Sequence, residues 1–139
     1  MTLNRDASVA MRKADAHAAT DVTGYGLIGH IVELAEASKV GVELSLSRIP
    51  VHKGALEILA QGVIEPGITM NQTSFSNRVD KGGSDSKMAS LIFGSETSGG
   101  LVIVLPEEDL ETFEQYYEEE FNMIGRVTAK NAGRVKLIP

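Results

Sequence analysis

The chain has 139 residues, of which 42% are hydrophobic and 23% are charged, a composition typical of a single globular domain. It contains no cysteine, which excludes disulfides, thiolate metal sites and a cysteine nucleophile within this sequence. The net charge of −6 disfavours a nucleic-acid partner, because nucleic-acid surfaces need clustered Lys and Arg.

The first half of the chain predicts helices on either side of a glycine-rich loop. Leu3, Ala7, Ala10 and Ala14 recur on one helical stripe, and such a small-sided stripe indicates close packing, which we expect to be against an absent neighbouring domain. In chain order, the expected segments are a helix over residues 4–17, the loop over 20–30, an amphipathic helix ending near 39–41, a strand over 42–46 and a helix over 53–61.

The second half predicts a long loop, a buried strand, a helix and two closing strands. Residues 63–90 show no periodicity, and a loop of that length is typically functional or mobile. The run 101–105 is apolar throughout, which favours a strand buried on both faces. The run is also far shorter than a membrane span, so we expect a soluble cytoplasmic protein without a membrane partner. A helix over 106–120 and strands over 123–128 and 134–138 complete the chain.

Helices and strands therefore interleave along the sequence. This order predicts an α/β or α+β class, and we expect a three-layer α/β/α arrangement with a mixed sheet. The whole chain, residues 1–139, is expected to form one domain.

The stretch TDVTGYGLIGH, residues 20–30, contains the spacing G-x-G-x-x-G that occurs in dinucleotide-binding folds. That interpretation needs a hydrophobic parallel strand before the glycines and an acid at the end of the next strand. The preceding residues are rich in alanine and polar side chains, and the next strand ends without an acid. Asp21 would also stand beside the pyrophosphate, where like charges about 4 Å apart repel by roughly 4 kcal/mol. We therefore reject a dinucleotide site.

The same repulsion becomes an attraction if a Mg²⁺ ion lies between the carboxylate and a phosphate. We interpret Asp21 as a magnesium ligand, with Thr20, Thr23, Gly24 and Gly26 shaping the phosphate side of the loop. In the alternative interpretation, Asp21 or Thr23 caps the following helix and the glycines make a tight turn.

Two further clusters carry polar groups or glycines that suit a binding loop. Thr97 and Ser98 offer hydroxyls, and Gly99 and Gly100 permit close backbone approach before a buried strand. Asn71, in the stretch EPGITMN, offers a polar contact after a Pro-Gly turn signal. The alternative for the first cluster is a plain turn that leads into the strand.

Together these stretches resemble the C-terminal domain of selenophosphate synthetase (selenide, water dikinase), in the superfamily that it shares with aminoimidazole ribonucleotide synthetase. The matching stretches are TLNR (residues 2–5), HAATDVTGYGLIGH (17–30), PGITMN (66–71) and TSGGL (97–101). The chain departs from the family pattern at Ile68, where Pro-Gly-Gly is common, and at Ser95, in a segment that commonly begins Asp-Pro-Gln.

The resemblance implies an enzyme that makes selenophosphate, AMP and phosphate from ATP, selenide and water, and a three-layer α/β/α fold for this part of it. The ATP lies between two domains, with Mg²⁺ held by several aspartates, and Asp21 matches the one that this half contributes. The implied partners are the N-terminal ATP-binding domain, ATP and selenide, within a full enzyme that is a homodimer. The reactive Cys or selenocysteine and the catalytic Lys belong to the N-terminal part, so the resemblance assigns no catalytic residue to this half and predicts no turnover by it alone. By this comparison the chain is an excised domain or the product of a divided gene.

The rival hypothesis is a non-catalytic, free-standing domain that binds a partner protein or a small anion. The three histidines show no metal-ligand spacing, and His30 is expected to make a structural hydrogen bond. Phe113, Tyr116 and Tyr117 are expected to pack within the domain rather than stack on a ligand.

Overall fold

The computed structural model of the chain describes residues 3–83 and 86–139. The described helices are α1 (Arg5–Lys13), α2 (Gly26–Ser38), α3 (Ala55–Ala60), α4 (Pro66–Phe75), α5 (Lys87–Leu91) and α6 (Leu110–Tyr116). The described strands are β1 (Ala18–Asp21), β2 (Gly41–Ser45), β3 (Val79–Asp80), β4 (Leu101–Val104), β5 (Gly125–Thr128) and β6 (Val135–Ile138). Thr2, the first residue of the TLNR motif, lies outside the described residues.

The strands form two separate sheets. β1 and β4 pair antiparallel in a two-stranded ribbon, in which Asp21 lies opposite Leu101. The other four strands form a mixed sheet in the order β3-β6-β2-β5. Within it, β3, β6 and β2 are parallel, and β5 is antiparallel to β2. The parallel pairs need helical crossovers, which the interleaved helices supply.

Helices lie on both sides of the ribbon. On one side, α1 and α6 pack against each other, and α1 also contacts β4. On the other side, α2 contacts β1, and α2 also packs on the four-stranded sheet through β2 and β6. The order is therefore helices, ribbon and helices, with the four-stranded sheet beyond α2. The predicted α/β class with a mixed sheet is confirmed.

The apolar stripe of α2 forms the centre of the main core. Ile28, Val32 and Ala35 are fully buried, and their spacing places them on one face of the helix. They join Leu44 of β2 and Leu137 of β6 in one cluster, because alternate residues of these strands point to the helix. The helix ends as predicted, with Lys39 in the left-handed conformation at its C-terminus.

The alanine stripe of α1 is covered within this chain, so the expectation that it awaits an absent domain is wrong. Ala7, Ala10 and Ala14 are all buried, and the last two pack with Phe113 of α6. Small side chains allow the two helices to approach closely, so a neighbour in the same chain suffices. Leu3, at the start of the stripe, remains 70% exposed.

The segment 63–90 is not the structureless loop that the sequence suggested. It contains α4, β3 and α5, while residues 84 and 85 lie outside the described residues. Ile68, Asn71 and Phe75 form the buried face of α4. Their spacing is helical, but the pattern was missed because the middle position is a polar side chain that is buried for its hydrogen bonds.

Two strand expectations also need correction. All four residues of β4 are only half-buried, because a two-stranded ribbon covers less of each strand than a wide sheet does. The alanine-rich stretch before the glycines does form a strand, β1, contrary to our expectation. However, β1 is antiparallel to β4 and β2 lies in the other sheet, so the parallel β-α-β unit of a dinucleotide site is absent from these elements.

Within the described ranges, no helix is both long enough and apolar enough to cross a membrane.

Candidate functional site

Asp21 lies at the end of β1, where the ribbon meets the glycine loop. Its side chain is exposed, and its backbone pairs across the ribbon with Leu101. The Thr20 hydroxyl donates to the backbone carbonyl of Asp21 at 3.2 Å. Among residues 3–83 and 86–139, no group donates to the Asp21 carboxylate and no cation pairs with it. Both carboxylate oxygens therefore face solvent and can accept a ligand.

The interpretation of Asp21 or Thr23 as a helix cap is wrong. The residue at the N-terminus of α2 is Tyr25, and within the described part of the chain no side chain caps this helix. The Thr23 hydroxyl instead lies 3.0 Å from Nε2 of His30, one turn into the helix, and Nδ1 of His30 lies 3.8 Å from Glu33. The structural role predicted for His30 is confirmed.

Gly26 shapes the loop from within. Its φ is +68°, and a Cβ there would lie 2.6 Å from the carbonyl oxygen of Gly94, so only glycine fits the turn. Its N–H donates to the carbonyl of Thr23 at 3.0 Å, which occupies this amide. Gly24 differs, because a Cβ at this position would meet no heavy atom within 4 Å. The open side of the loop is therefore at Asp21 and Gly24.

The Gly24 carbonyl connects the glycine loop with the segments around Asn71 and Ser95. It accepts a hydrogen bond of 2.9 Å from Nδ2 of Asn71 and another of 2.9 Å from the hydroxyl of Ser95. The same Asn71 nitrogen donates to the carbonyl of Phe93 at 2.8 Å. Asn71 is 6% exposed, so these bonds satisfy an amide that would otherwise be costly to bury. Asn71 therefore holds the loop from inside and does not face a ligand.

Glu65 connects the segment around Asn71 with the segment around Ser95. It was not identified as a site residue from the sequence. Its carboxylate accepts the N–H of Gly67 at 2.7 Å and the N–H of Ser95 at 3.1 Å. The first bond caps α4, which has Pro66 at its first position. A capping acid directly before Pro-Gly is a recognisable start of a helix, and this signal could have located both α4 and Glu65.

The segment 97–100 lies beside Asp21. Val22, the residue after Asp21, donates its N–H to the carbonyl of Gly100 at 3.0 Å and accepts the N–H of Gly99 at 3.2 Å. A Cβ at Gly99 would collide with the Val22 carbonyl, so the glycine is needed for this approach. Thr97 and Ser98 are exposed. They belong to the loop that precedes β4 and borders β1.

A complete cation site does not form within the described part of the chain. No group of three His, Cys, Asp or Glu side chains lies close enough to hold a metal ion there. Mg²⁺ takes six oxygen ligands and commonly keeps water and substrate phosphate among them. An exposed carboxylate such as that of Asp21, with no partner among the described residues, fits one position of such a site.

Replacing Asn71 by Ala is expected to lower the free energy of unfolding by about 2 kcal/mol, because the buried Phe93 carbonyl loses its donor. Urea denaturation followed by circular dichroism measures this change. Asn122→Ala, at an exposed position, is the matched control and should change stability by less than about 0.5 kcal/mol. Equal effects of the two substitutions would contradict the assignment of Asn71.

The sequence matches the family described as "AIR synthase related protein, C-terminal domain" over residues 1–138. The chain belongs to this family. In the relatives described next, the matching part is a portion of a longer protein.

Individual relatives indicate a narrower group of proteins than the family description does. The chain is 33% identical to the selenide, water dikinase of Clostridioides difficile (strain 630), over 96% of this chain and 37% of that protein. It is 38% identical to the selenide, water dikinase of Trichlorobacter lovleyi, over 74% of this chain and 30% of that protein. The chain therefore spans well under half the length of these relatives. The predicted resemblance to selenophosphate synthetase is confirmed.

A solved structure also overlaps with the chain. The thiamine monophosphate kinase of Aquifex aeolicus superposes with a TM-score of 0.48 at 18% identity, over 88% of this chain and 31% of that one.

Proposed function

We propose that this chain is the C-terminal domain of a selenophosphate synthetase, which makes selenophosphate, AMP and phosphate from ATP, selenide and water. The proposal draws on the selenide, water dikinases that the chain matches. In this proposal the domain contributes contacts to Mg²⁺ and phosphate, and the N-terminal ATP-binding domain contributes the remaining groups.

The observation that carries the proposal is the state of the Asp21 carboxylate. It is exposed at the end of a paired strand, and no described group occupies its oxygens. Its oxygens are therefore available to a ligand, and the motif TDVTGYGLIGH places this acid directly before the glycine loop. The carboxylate is held out on a ribbon whose backbone is fixed, as a ligand position requires.

Mg²⁺ bound here would neutralise charge on the polyphosphate as it departs. Asp21 would hold the ion, and the ribbon would fix the direction of its carboxylate. The glycine loop would lie on the phosphate side, with Thr20 and Thr23 bordering it and Gly24 leaving room for close approach of the ligand. Gly26 would keep the loop in shape, while Thr97, Ser98 and the two glycines after them would form the neighbouring wall.

The small number of metal-binding side chains explains why we expect the domain to be inactive by itself. One carboxylate would not by itself hold a Mg²⁺ ion, and the described residues offer no group of three His, Cys, Asp or Glu side chains that could do so. The reactive group must also come from elsewhere, since the sequence has no cysteine. The N-terminal domain is thus required both for the metal and for the chemistry.

The isolated chain is therefore expected to bind Mg-ATP weakly or undetectably and to form no AMP. Calorimetric titration with Mg-ATP and chromatographic detection of AMP test these two expectations. Adding the N-terminal domain of a selenophosphate synthetase is expected to give AMP formation that depends on selenide. ATP turnover by the chain alone would contradict the proposal, and so would an inactive pair in which the added domain is folded and binds ATP.

A further inference from the structure

A second concave surface lies on the four-stranded sheet, away from the ribbon and its loops. This cleft has a volume of about 660 Å³, within the range of small-molecule sites. It extends from the β3 edge of the sheet to the loop that follows β5 at the other edge. None of its lining residues belongs to the glycine loop or to β4. We call it the basic cleft, after the side chains described next.

Cations dominate the lining of the basic cleft. Lys81, Lys130, Arg134 and Lys136 line it, against the two acids Glu43 and Asp80. Four of the 13 Lys and Arg residues in a chain of net charge −6 are thus gathered at one site.

The two acids leave this excess in place. Glu43 is already paired at 2.7 Å with Arg126, a cation that is not among the lining residues, so this acid does not offset the charge of the four. Asp80 accepts the N–H of Gly82 at 3.0 Å. In the described part of the chain, no acid lies within ion-pair distance of the four lysine and arginine side chains.

The cations on one wall are held in position by the backbone. The loop after β5 is closed by a bond from the N–H of Arg134 to the carbonyl of Asn131 at 3.0 Å, with Asn131 in the left-handed conformation. The Thr128 hydroxyl donates to the carbonyl of Lys130 at 3.0 Å. Nη2 of Arg134 donates to the carbonyl of Asn77 at 3.0 Å, which directs the guanidinium, and its other N–H groups have no acceptor among residues 3–83 and 86–139. Such preorganisation lowers the entropy lost when a ligand binds.

We propose that the basic cleft is a binding site for a small anion that carries two or more phosphate groups. Ammonium and guanidinium groups make their strongest hydrogen bonds to phosphate oxygens. Lys81 follows the edge strand β3, and Lys130 follows β5 at the opposite edge, so the cations contact a ligand from two sides. A single phosphate would leave much of a cleft of about 660 Å³ empty. The site is separate from Asp21 and binds its ligand without Mg²⁺.

Titration of the 139-residue chain with inorganic pyrophosphate in the presence of EDTA tests this site, because EDTA silences any metal-dependent binding at Asp21. Calorimetry gives the Kd, and amide chemical shifts locate the ligand. Saturable binding is expected, with the largest shifts at residues 79–81 and 128–136. The double substitution Lys81→Gln and Lys130→Gln is expected to raise the Kd at least about tenfold, since two charge-assisted contacts are lost.

The matched control is Lys53→Gln with Lys87→Gln, which removes the same charge at exposed positions outside the cleft. This control is expected to change the Kd by less than about twofold. Arg134→Lys keeps the charge but removes the planar fork, and it should weaken binding by an intermediate factor. Absence of saturable binding, equal weakening by the two double variants, or shifts centred on residues 20–30 would each overturn the proposal.

Discussion

Asp21→Asn is expected to lower AMP formation roughly 100-fold or more when the chain is combined with the N-terminal domain, because the amide is a poor Mg²⁺ ligand at a position where charge develops. Stability should change by less than about 0.5 kcal/mol, since the Asp21 side chain is exposed and no described group bonds to it. Steady-state AMP formation and urea denaturation of the same preparation separate the two effects.

Asp15→Asn is the matched control for this experiment. Asp15 is exposed and lies six positions earlier, and its φ of +45° is one that Asn tolerates well. The two variants carry the same net charge, so a general electrostatic effect would lower both activities equally. Normal activity of the Asp21→Asn pair would contradict the metal-ligand role while leaving the fold assignment untouched.

Gly26→Ala is expected to lower the free energy of unfolding by about 3 kcal/mol or more. The φ of +68° is strained for alanine, which costs about 1 kcal/mol by itself. The added Cβ would also lie 2.6 Å from the Gly94 oxygen and 2.8 Å from the Phe93 carbonyl, and these are backbone atoms that cannot move without shifting the chain. The urea midpoint should fall sharply, since a domain of this size has only about 5–15 kcal/mol of stability.

Gly24→Ala is the control in the same loop. A Cβ at Gly24 has no neighbour within 4 Å, and its φ is not in the left-handed region. The substitution should therefore change the unfolding free energy by less than about 0.5 kcal/mol. Similar losses for the two glycines would show that the loop is not held by the packing described here.

The two glycine variants also separate an effect on stability from an effect on activity. If Gly24 borders the phosphate, its alanine variant should keep a normal urea midpoint and lose activity with the N-terminal domain. This pattern is the reverse of a folding defect.

The element pattern was predictable where one periodicity dominated. The helix α2 was expected from its apolar spacing, and Ile28, Val32 and Ala35 are fully buried. The strand β2 was expected over residues 42–46, and Glu43 is its one half-buried residue, although Ser45, expected on the same solvent-facing side, is buried. In both cases a local pattern determines which face must leave water, so neighbouring elements have little influence on the outcome.

Prediction failed where a buried residue is polar, and where the pairing of a strand with its neighbours decides how far its side chains are buried. Asn71 interrupts the apolar pattern of α4, yet it is buried because its amide bonds two backbone carbonyls from distant segments. The run 101–105 was expected to be buried on both faces, but the burial of β4 depends on the width of the sheet that it joins. The local sequence shows neither the carbonyls that Asn71 bonds nor the strand that pairs with β4.

The candidate site shows the same division. The motifs TDVTGYGLIGH, PGITMN and TSGGL were each visible in the sequence, and Asp21 was identified by its charge beside a glycine loop. Their convergence was not visible, because it depends on bonds of Glu65, Asn71 and Ser95 that join residues 30 to 71 positions apart. The sequence by itself thus determined α2, β2 and the acid at the loop, but not α4. The tertiary structure decided which amides are occupied, which carboxylate stays free and where the cations gather, because these depend on contacts between segments that only folding brings within hydrogen-bond distance.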